Sequence, residues 1–209
     1  MAEKIQAILL AAGESRRMGQ PKMLLPWGET TVLGQVVSAF SAGLSSKPEQ
    51  PIDLDEQIIV VTGGAGASVE AEVARLSKQF PLRTVYNPNY ALGGMVSSIQ
   101  AGLAVLRPAT RAVLIGLGDQ PQVQEETVRN IWTAFVRSGA ALVIPSFQNR
   151  RGHPWLAARS LWSEILALSP STSPRQFLDA HAGQIEYVPA DASILQDLDT
   201  PEEYNRQRP

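Results

Sequence analysis

The chain has 209 residues, 44% of them apolar and 18% charged, with a formal net charge of -2. That size suits one domain spanning 1–209 with a sizeable core, and the near-neutral balance excludes a global positive field for nucleic acid, so any basic site must be local. The absence of cysteine excludes a disulfide scaffold, a thiolate metal site and a cysteine nucleophile, which fits a cytoplasmic protein, and no stretch reaches the ~18 apolar residues of a membrane span.

In chain order, strand-like apolar runs alternate with helical patterns. "IQAILLAA" reads as a buried first strand; it is short and interrupted by Gln6, unlike a secretory signal. "VLGQVVSAFSAGL" has helical spacing at Val32, Leu33, Val36, Val37 and Phe40. "SSKPEQPIDLDEQ", residues 45–57, reads as a surface loop. "QIIVVT" is a strand, "SVEAEVARLSKQF" a helix and "LRTVYN" a short strand. "GMVSSIQAGLAVL" is a helix with Ser97 and Ser98 in its first turns. "RAVLIGLGD" is an apolar strand ending in a carboxylate, "ETVRNIWTAFVRSG" a helix and "ALVIPSF" a strand. "LQDLDTPEEYNRQRP" reads as a strand followed by a helix start. There Thr200 is the N-cap, Pro201 is N1, and Glu203 completes a capping box. This alternation predicts an α/β fold with a mainly parallel sheet covered on both faces.

The first strand runs into "LAAGESRRMGQPKMLLP". Ligands of open α/β sheets bind beyond the carboxyl ends of the strands. Gly13 and Gly19 let backbone approach a ligand, and successive N–H groups in such a turn form an anion-binding concavity. Arg16, Arg17 and Lys22 add directed donors for phosphate oxygens. The set reads as a polyphosphate cradle, though it matches neither the P-loop nor the dinucleotide fingerprint. "TGGAGAS", residues 62–68, partly imitates that fingerprint and reads as a plain βα turn.

Asp119 ends the most apolar strand and should open on the same rim as the cradle. A carboxylate near bound phosphates suits Mg²⁺, which takes one or two carboxylates plus phosphate oxygens. Asp197 and Asp199 are a second candidate pair, pointing the same way if they lie in a strand. For Asp199, metal duty and favourable placement at a helix start remain equally open. "NPNYALGGMVSSIQAGL" brings Asn87, Gly93, Gly94, Ser97 and Ser98, which could serve a base or ribose or cap their own helix. In "RRGHP", Arg151 is a candidate for gripping an acidic substrate. His181 lies near a helix end and reads as structural. No serine triad or zinc cluster is visible.

The motifs "LAAGESRRMGQPKMLLP", "NPNYALGGMVSSIQAGL", "GLGDQPQV", "RRGHP" and "DLDTPEEY" together resemble the MobA-like nucleotidyltransferases, nearest the molybdenum cofactor cytidylyltransferase branch. The resemblance implies a single three-layer, Rossmann-like nucleotidyltransferase domain. It implies a nucleotide bound by Leu10, Ala11, Ala12, Gly13, Ser15, Arg16, Arg17 and Lys22, with Asn87, Gly94 and Ser98 near the base. Arg17, Lys22 and Asp119 would be catalytic, Asp119 and Asp199 would serve Mg²⁺, and Arg151, Gly152 and His153 would lie near the acceptor. Ala12, where the guanylyl branch usually has a second glycine, and "QPK", where it has an aspartate before the lysine, favour cytidylyl transfer.

The implied reaction moves CMP from CTP onto the terminal phosphate of a molybdopterin-type cofactor, with transient contact to a molybdoenzyme or its chaperone. Guanylyl transfer and a sugar- or polyol-phosphate nucleotidyltransferase are the alternatives. An NAD(P)H-dependent oxidoreductase on the same fold is the more distant one, and its only support is the Gly64-x-Gly66 turn.

Overall fold

The computed structural model describes residues 4–45 and 58–209, apart from the side chains of Lys4 and Arg16. The loop expected over 45–57 therefore lies, from residue 46 onward, outside the described residues, as does the Arg16 side chain. The strands are β1 (Lys4–Ala11), β2 (Pro26–Trp27), β3 (Thr30–Thr31), β4 (Ile58–Thr62), β5 (Leu82–Tyr86), β6 (Thr110–Leu117), β7 (Leu142–Phe147), β8 (Arg150–Arg151), β9 (Trp155–Ala158) and β10 (Ile185–Pro189). The helices are α1 (Val32–Ser45), α2 (Gly66–Leu76), α3 (Gly94–Leu103), α4 (Glu125–Ser138), α5 (Trp162–Ala167), α6 (Pro174–Ala180) and α7 (Pro201–Gln207).

The main sheet has the order β10-β7-β9-β6-β1-β4-β5, with β8 paired to β7. β1 runs parallel to both β4 and β6, and β4 to β5. The chain crosses from β5 over to β6 on the far side of β1, so the strand order reverses between β1 and β6. Such a switch point opens a crevice at the carboxyl ends of the strands. The expected α/β architecture with a mainly parallel sheet is the one observed. Two strands depart from it: β9 runs antiparallel to both β6 and β7, and the short β8 runs antiparallel to β7.

Burial on both faces explains the continuous apolar strands. In β1, Ala7, Leu9 and Ala11 join a core under α1, α2 and α4. Ile8 and Leu10, with Ala12 just beyond the strand, join a second core under α3, α5 and α6. Alternate side chains of one strand therefore serve opposite layers. α4 ends where Gly139 takes φ +67, a left-handed conformation suited to glycine. The capping box expected at Thr200 and Glu203 is present. The strand expected just before it is not: Gln196–Thr200 pairs with no other strand. It rests instead on side chains from the turn after β6 and from the first loop.

A third apolar cluster comprises Met18, Leu25, Trp27, Val32, Leu198 and Tyr204. Tyr204 also donates from its hydroxyl to the Pro26 carbonyl at 2.6 Å and packs its ring 6.4 Å from that of Trp27. Sequence positions about 180 apart thus form one wall beside the crevice.

Candidate active site

The crevice is a cavity of about 410 Å³ lined by Leu10, Ala12, Gly13, Lys22, Met23, Tyr90, Gly94, Met95, Ser98, Leu117, Asp119, Asp197 and Asp199. β1 delivers its floor. The turn after β1 is tied to its neighbours by Gly118 N–H donating to the Leu10 carbonyl at 3.0 Å and Gly64 N–H to the Ala12 carbonyl at 3.1 Å. A Cβ placed at Gly13 would meet nothing within 4 Å, so backbone there faces open space. Ser15 takes φ +50, and its Oγ accepts from Lys22 N–H at 3.1 Å, which closes the loop on itself. Ser15 shapes the loop without lining the cavity.

Lys22 is the electrostatic centre. Its Nζ contacts Asp119 Oδ2 closely and lies 3.0 Å from Asp199 Oδ1. Burial disfavours the ammonium, but the charge of Asp119, then its hydrogen bond and those of Asp199, outweigh it and hold the Lys22 pKa above its usual value. The second Asp199 oxygen accepts from Arg17 at 2.7 Å. Burial works against the Asp199 carboxylate, yet Lys22 and then Arg17 pull its pKa below the ordinary range. Asp197 behaves in the opposite sense. Its Oδ1 accepts from Gln120 Nε2 at 2.7 Å, but burial and the nearby Asp119 and Asp199 charges raise its pKa. Among the described residues, no three His, Asp or Glu side chains converge as a metal cage.

The β5–α3 segment supplies the opposite wall. Gly94 takes φ +55 at the start of α3. Asn87, only 1% exposed, donates from Nδ2 to Ser97 Oγ at 2.9 Å and Ser98 Oγ at 3.0 Å, while its Oδ1 accepts from Asn89 N–H at 2.9 Å. Asn87 therefore acts through Ser98, which lines the cavity. Ser97 turns back to donate to the Gly94 carbonyl at 3.0 Å.

Of the residues read from the sequence, Leu10, Ala12, Gly13, Lys22, Gly94, Ser98, Asp119, Asp197 and Asp199 line one cavity. Ala11 is the end of β1, and Arg17 reaches the site through Asp199. Arg151, Gly152 and His153 are not among the lining residues. The Arg151 guanidinium binds Asp179 at 2.5 Å and the Tyr187 hydroxyl at 2.9 Å. Gly152 and His153 donate from backbone N–H to the Pro145 and Ile194 carbonyls. Burial pushes the His153 imidazole down to about 4, against a hydrogen bond to Ile115 and the Asp119 charge. His181 is structural, as expected. Its ring nitrogens meet the Phe177 carbonyl at 2.9 Å and Glu164 at 3.1 Å.

The sequence reading missed Met23, Tyr90, Met95 and Leu117 as lining residues. Only their proximity to the motifs could have signalled them. It took Gly64 and Gly66 as a plain turn, and the packing agrees. A Cβ on Gly64 would lie 2.5 Å from Glu14 Cγ and 3.3 Å from the Tyr90 ring.

A model of the MobA-like NTP transferase domain matches residues 7–185. The chain belongs to this family. It is 29% identical over 203 residues to the molybdenum cofactor cytidylyltransferase of Escherichia coli, covering 96% of this chain and 93% of that protein. It is 30% identical over 165 residues to the molybdenum cofactor guanylyltransferase of Mesorhizobium japonicum, covering 78% and 68%. Its fold matches the crystal structure of Rv0371c from Mycobacterium tuberculosis with TM-score 0.77 at 28% identity, covering 99% and 98% of the two chains. Rv0371c has also been solved in complex with manganese, matched here with TM-score 0.76 at 26% identity over 97% of each chain. This MobA-like chain is thus a nucleotidyltransferase. The matched span holds the cradle, Asn87–Ser98 and Asp119, and stops short of Asp197 and Asp199.

Proposed function

We propose that the chain transfers CMP from CTP to the terminal phosphate of a molybdopterin-type cofactor, releasing pyrophosphate. The observation that carries this reading is the Lys22 ammonium, fixed between Asp119 and Asp199 on the wall of a cavity whose floor is glycine-bearing backbone. Triphosphate oxygens find there a cation and open N–H groups together. The cytidylyltransferase relative, covered along nearly its whole length, and Ala12 in the floor support CTP as the donor. The guanylyltransferase relative makes GTP the second reading.

An acceptor phosphate oxygen attacks the α-phosphorus in line. A new P–O bond forms, the bond to the β-phosphate breaks, and its electrons leave with pyrophosphate. The attacking oxygen is already ionised at pH 7, so no general base is required. Lys22 and Arg17 stabilise charge building on the leaving group. Ser98, held by Asn87, and Gly94 orient the nucleoside, while Tyr90 and Met95 exclude water from its apolar side.

Two features fit a divalent cation. Asp119 lines the cavity with its carboxylate already turned toward a positive charge, and the C-terminal segment brings further carboxylates to the same space. A bound Mg²⁺ neutralises charge on the phosphates. Asp119 would hold it with one carboxylate of that segment, Asp199 being the partner implied by the resemblance.

Purified protein offered CTP, GTP, ATP and UTP, with and without molybdopterin cofactor, tests the reading. Acceptor-dependent pyrophosphate release with CTP supports it. Release with GTP alone turns it to guanylyl transfer, and release that ignores the acceptor with every nucleotide refutes it.

A further inference from the structure

A carboxylate that serves a cation inside the cavity needs oxygen lone pairs that the chain's own cations have not taken. Asp199 offers few. One oxygen lies 3.0 Å from Lys22 Nζ and the other 2.7 Å from an Arg17 nitrogen. Asp197 lines the same cavity and is held differently. Its Oδ1 accepts from the Gln120 amide at 2.7 Å, and among the described residues no hydrogen bond or ion pair falls on its other oxygen.

Gln120 is 2% exposed, and its own Oε1 is buried without a partner. Leaving a buried amide oxygen unsatisfied is costly. Turning the amide over would set that oxygen against a carboxylate, so the aim of the NH₂ group is dictated by Asp197. Gln120 directly follows Asp119, so this one bond also fixes the two carboxylates relative to each other. A second tie runs beside it. Gln122 Nε2 donates to Gln207 Oε1, and Gln207 Nε2 reaches the Asp197 carbonyl at 3.4 Å.

We infer that Asp197, aimed by the positioning residue Gln120, is the carboxylate that joins Asp119 at the divalent cation, and that Asp199 is the counter-ion of Arg17 and Lys22. The inference rests on the metal reading given above. Asp199 then occupies both described cations of the cradle before phosphate arrives, and an incoming polyphosphate must displace it.

Two titrations of the purified chain test this, neither of them an activity measurement. Mn²⁺ alone is titrated and followed by loss of the free-ion resonance signal, and pyrophosphate alone is titrated calorimetrically in the presence of a chelator. Asp197→Asn and Gln120→Leu should each weaken Mn²⁺ binding about tenfold or more, with Asp199→Asn within about threefold of wild type. Asp199→Asn should instead tighten pyrophosphate binding several-fold, and Gln120→Leu should leave it unchanged. Gln120→Leu keeps every carboxylate, so it stands as the decisive variant should Asp197→Asn fail to fold. Mn²⁺ binding that is lost in Asp199→Asn and kept in Asp197→Asn or Gln120→Leu overturns the inference, and unchanged pyrophosphate affinity in Asp199→Asn overturns its second half. A wild-type chain that takes up no Mn²⁺ overturns the metal reading itself.

Discussion

Replacing Lys22 with methionine keeps the apolar stem and removes the charge. The Lys22 side chain is 13% exposed and that of Asp119 15%, with the Asp199 contact at 3.0 Å. At an effective dielectric of about 20, one contact at that separation is worth about 5 kcal/mol before desolvation. Much of this is offset. The Asp199 side chain is 33% exposed, and Lys22 itself is disfavoured by burial. Removing one partner of a fully buried pair costs about 3–5 kcal/mol, against about 1 kcal/mol or less for an exposed one. A site between these limits should lose about 2 kcal/mol at pH 7.

The pH dependence separates charge from packing. Asp199 has its folded pKa below the ordinary 3.8, so its contribution is present above that value and is lost as pH falls through the depressed pKa. Lys22 is raised above 10.5, so its contribution is present below that value and is lost as pH rises through the folded pKa. The deficit of Lys22→Met should therefore hold steady across neutral pH and shrink below 3.8. On the proposed mechanism the same variant loses about 100- to 1000-fold in kcat, the usual effect of removing one donor to developing charge. Urea denaturation at pH 7 and in acid, beside pyrophosphate-release kinetics, measures both. An equal deficit at the two pH values would show that the stem and not the charge matters. A kcat within about threefold of wild type would place the ammonium away from the transferring phosphates.

Asn87→Ala leaves the buried Ser97 and Ser98 hydroxyls without their shared donor and should cost about 1–3 kcal/mol. Because Ser98 lines the cavity, nucleotide affinity should also fall about tenfold by calorimetry, and an unchanged affinity would remove Asn87 from the site. Gly116→Ala drives a methyl group into the Phe40 ring, which is 1% exposed. It should lower stability by about 1–3 kcal/mol, partly recovered by adding Phe40→Leu, as read from denaturation midpoints. His153 has a folded pKa of about 4 against 6.5 unfolded, so stability should fall with pH across that window, by about 2 kcal/mol between pH 6.5 and 5. His153→Gln should flatten that slope, and an identical slope in the variant would assign the effect to other groups.

Much of the site was legible because its signals are local. The cradle's cations and glycines fall within one loop, Asp119 ends its own strand, and the capping box lies within four residues. What escaped depends on distant chain. Trp155–Ala158 is a four-residue apolar stretch with no period to mark it as an antiparallel strand between β6 and β7. Arg151 looked available for an acidic substrate because its partner, Asp179, lies 28 residues onward. The two-residue spacing of Asp197 and Asp199 would put both side chains on one face only if they lay in a strand. With no strand pairing to hold Gln196–Thr200, their directions are set by Gln120 and by Arg17 and Lys22 instead.

The C-terminal segment gives that last difference its weight. It lies beyond the span matched by the family model, yet Leu198 and Tyr204 complete the apolar cluster that backs Met18, Leu25 and Trp27. The loop carrying Arg17 and Lys22 is thus clamped from behind by apolar contact and from the front by Asp199. The same segment sets the charge of the site. Among the described side chains, two cations face Asp119, Asp197 and Asp199, so a bare triphosphate meets a balance tipped against it. On the proposed reading, a divalent cation held by these carboxylates would offset that balance, and Lys22 and Arg17 would be able to exchange one anion for another. A chain with a net charge of -2 can therefore concentrate cations in one loop, because three carboxylates from two separate segments hold that loop near neutrality until the substrate supplies its own counter-ion.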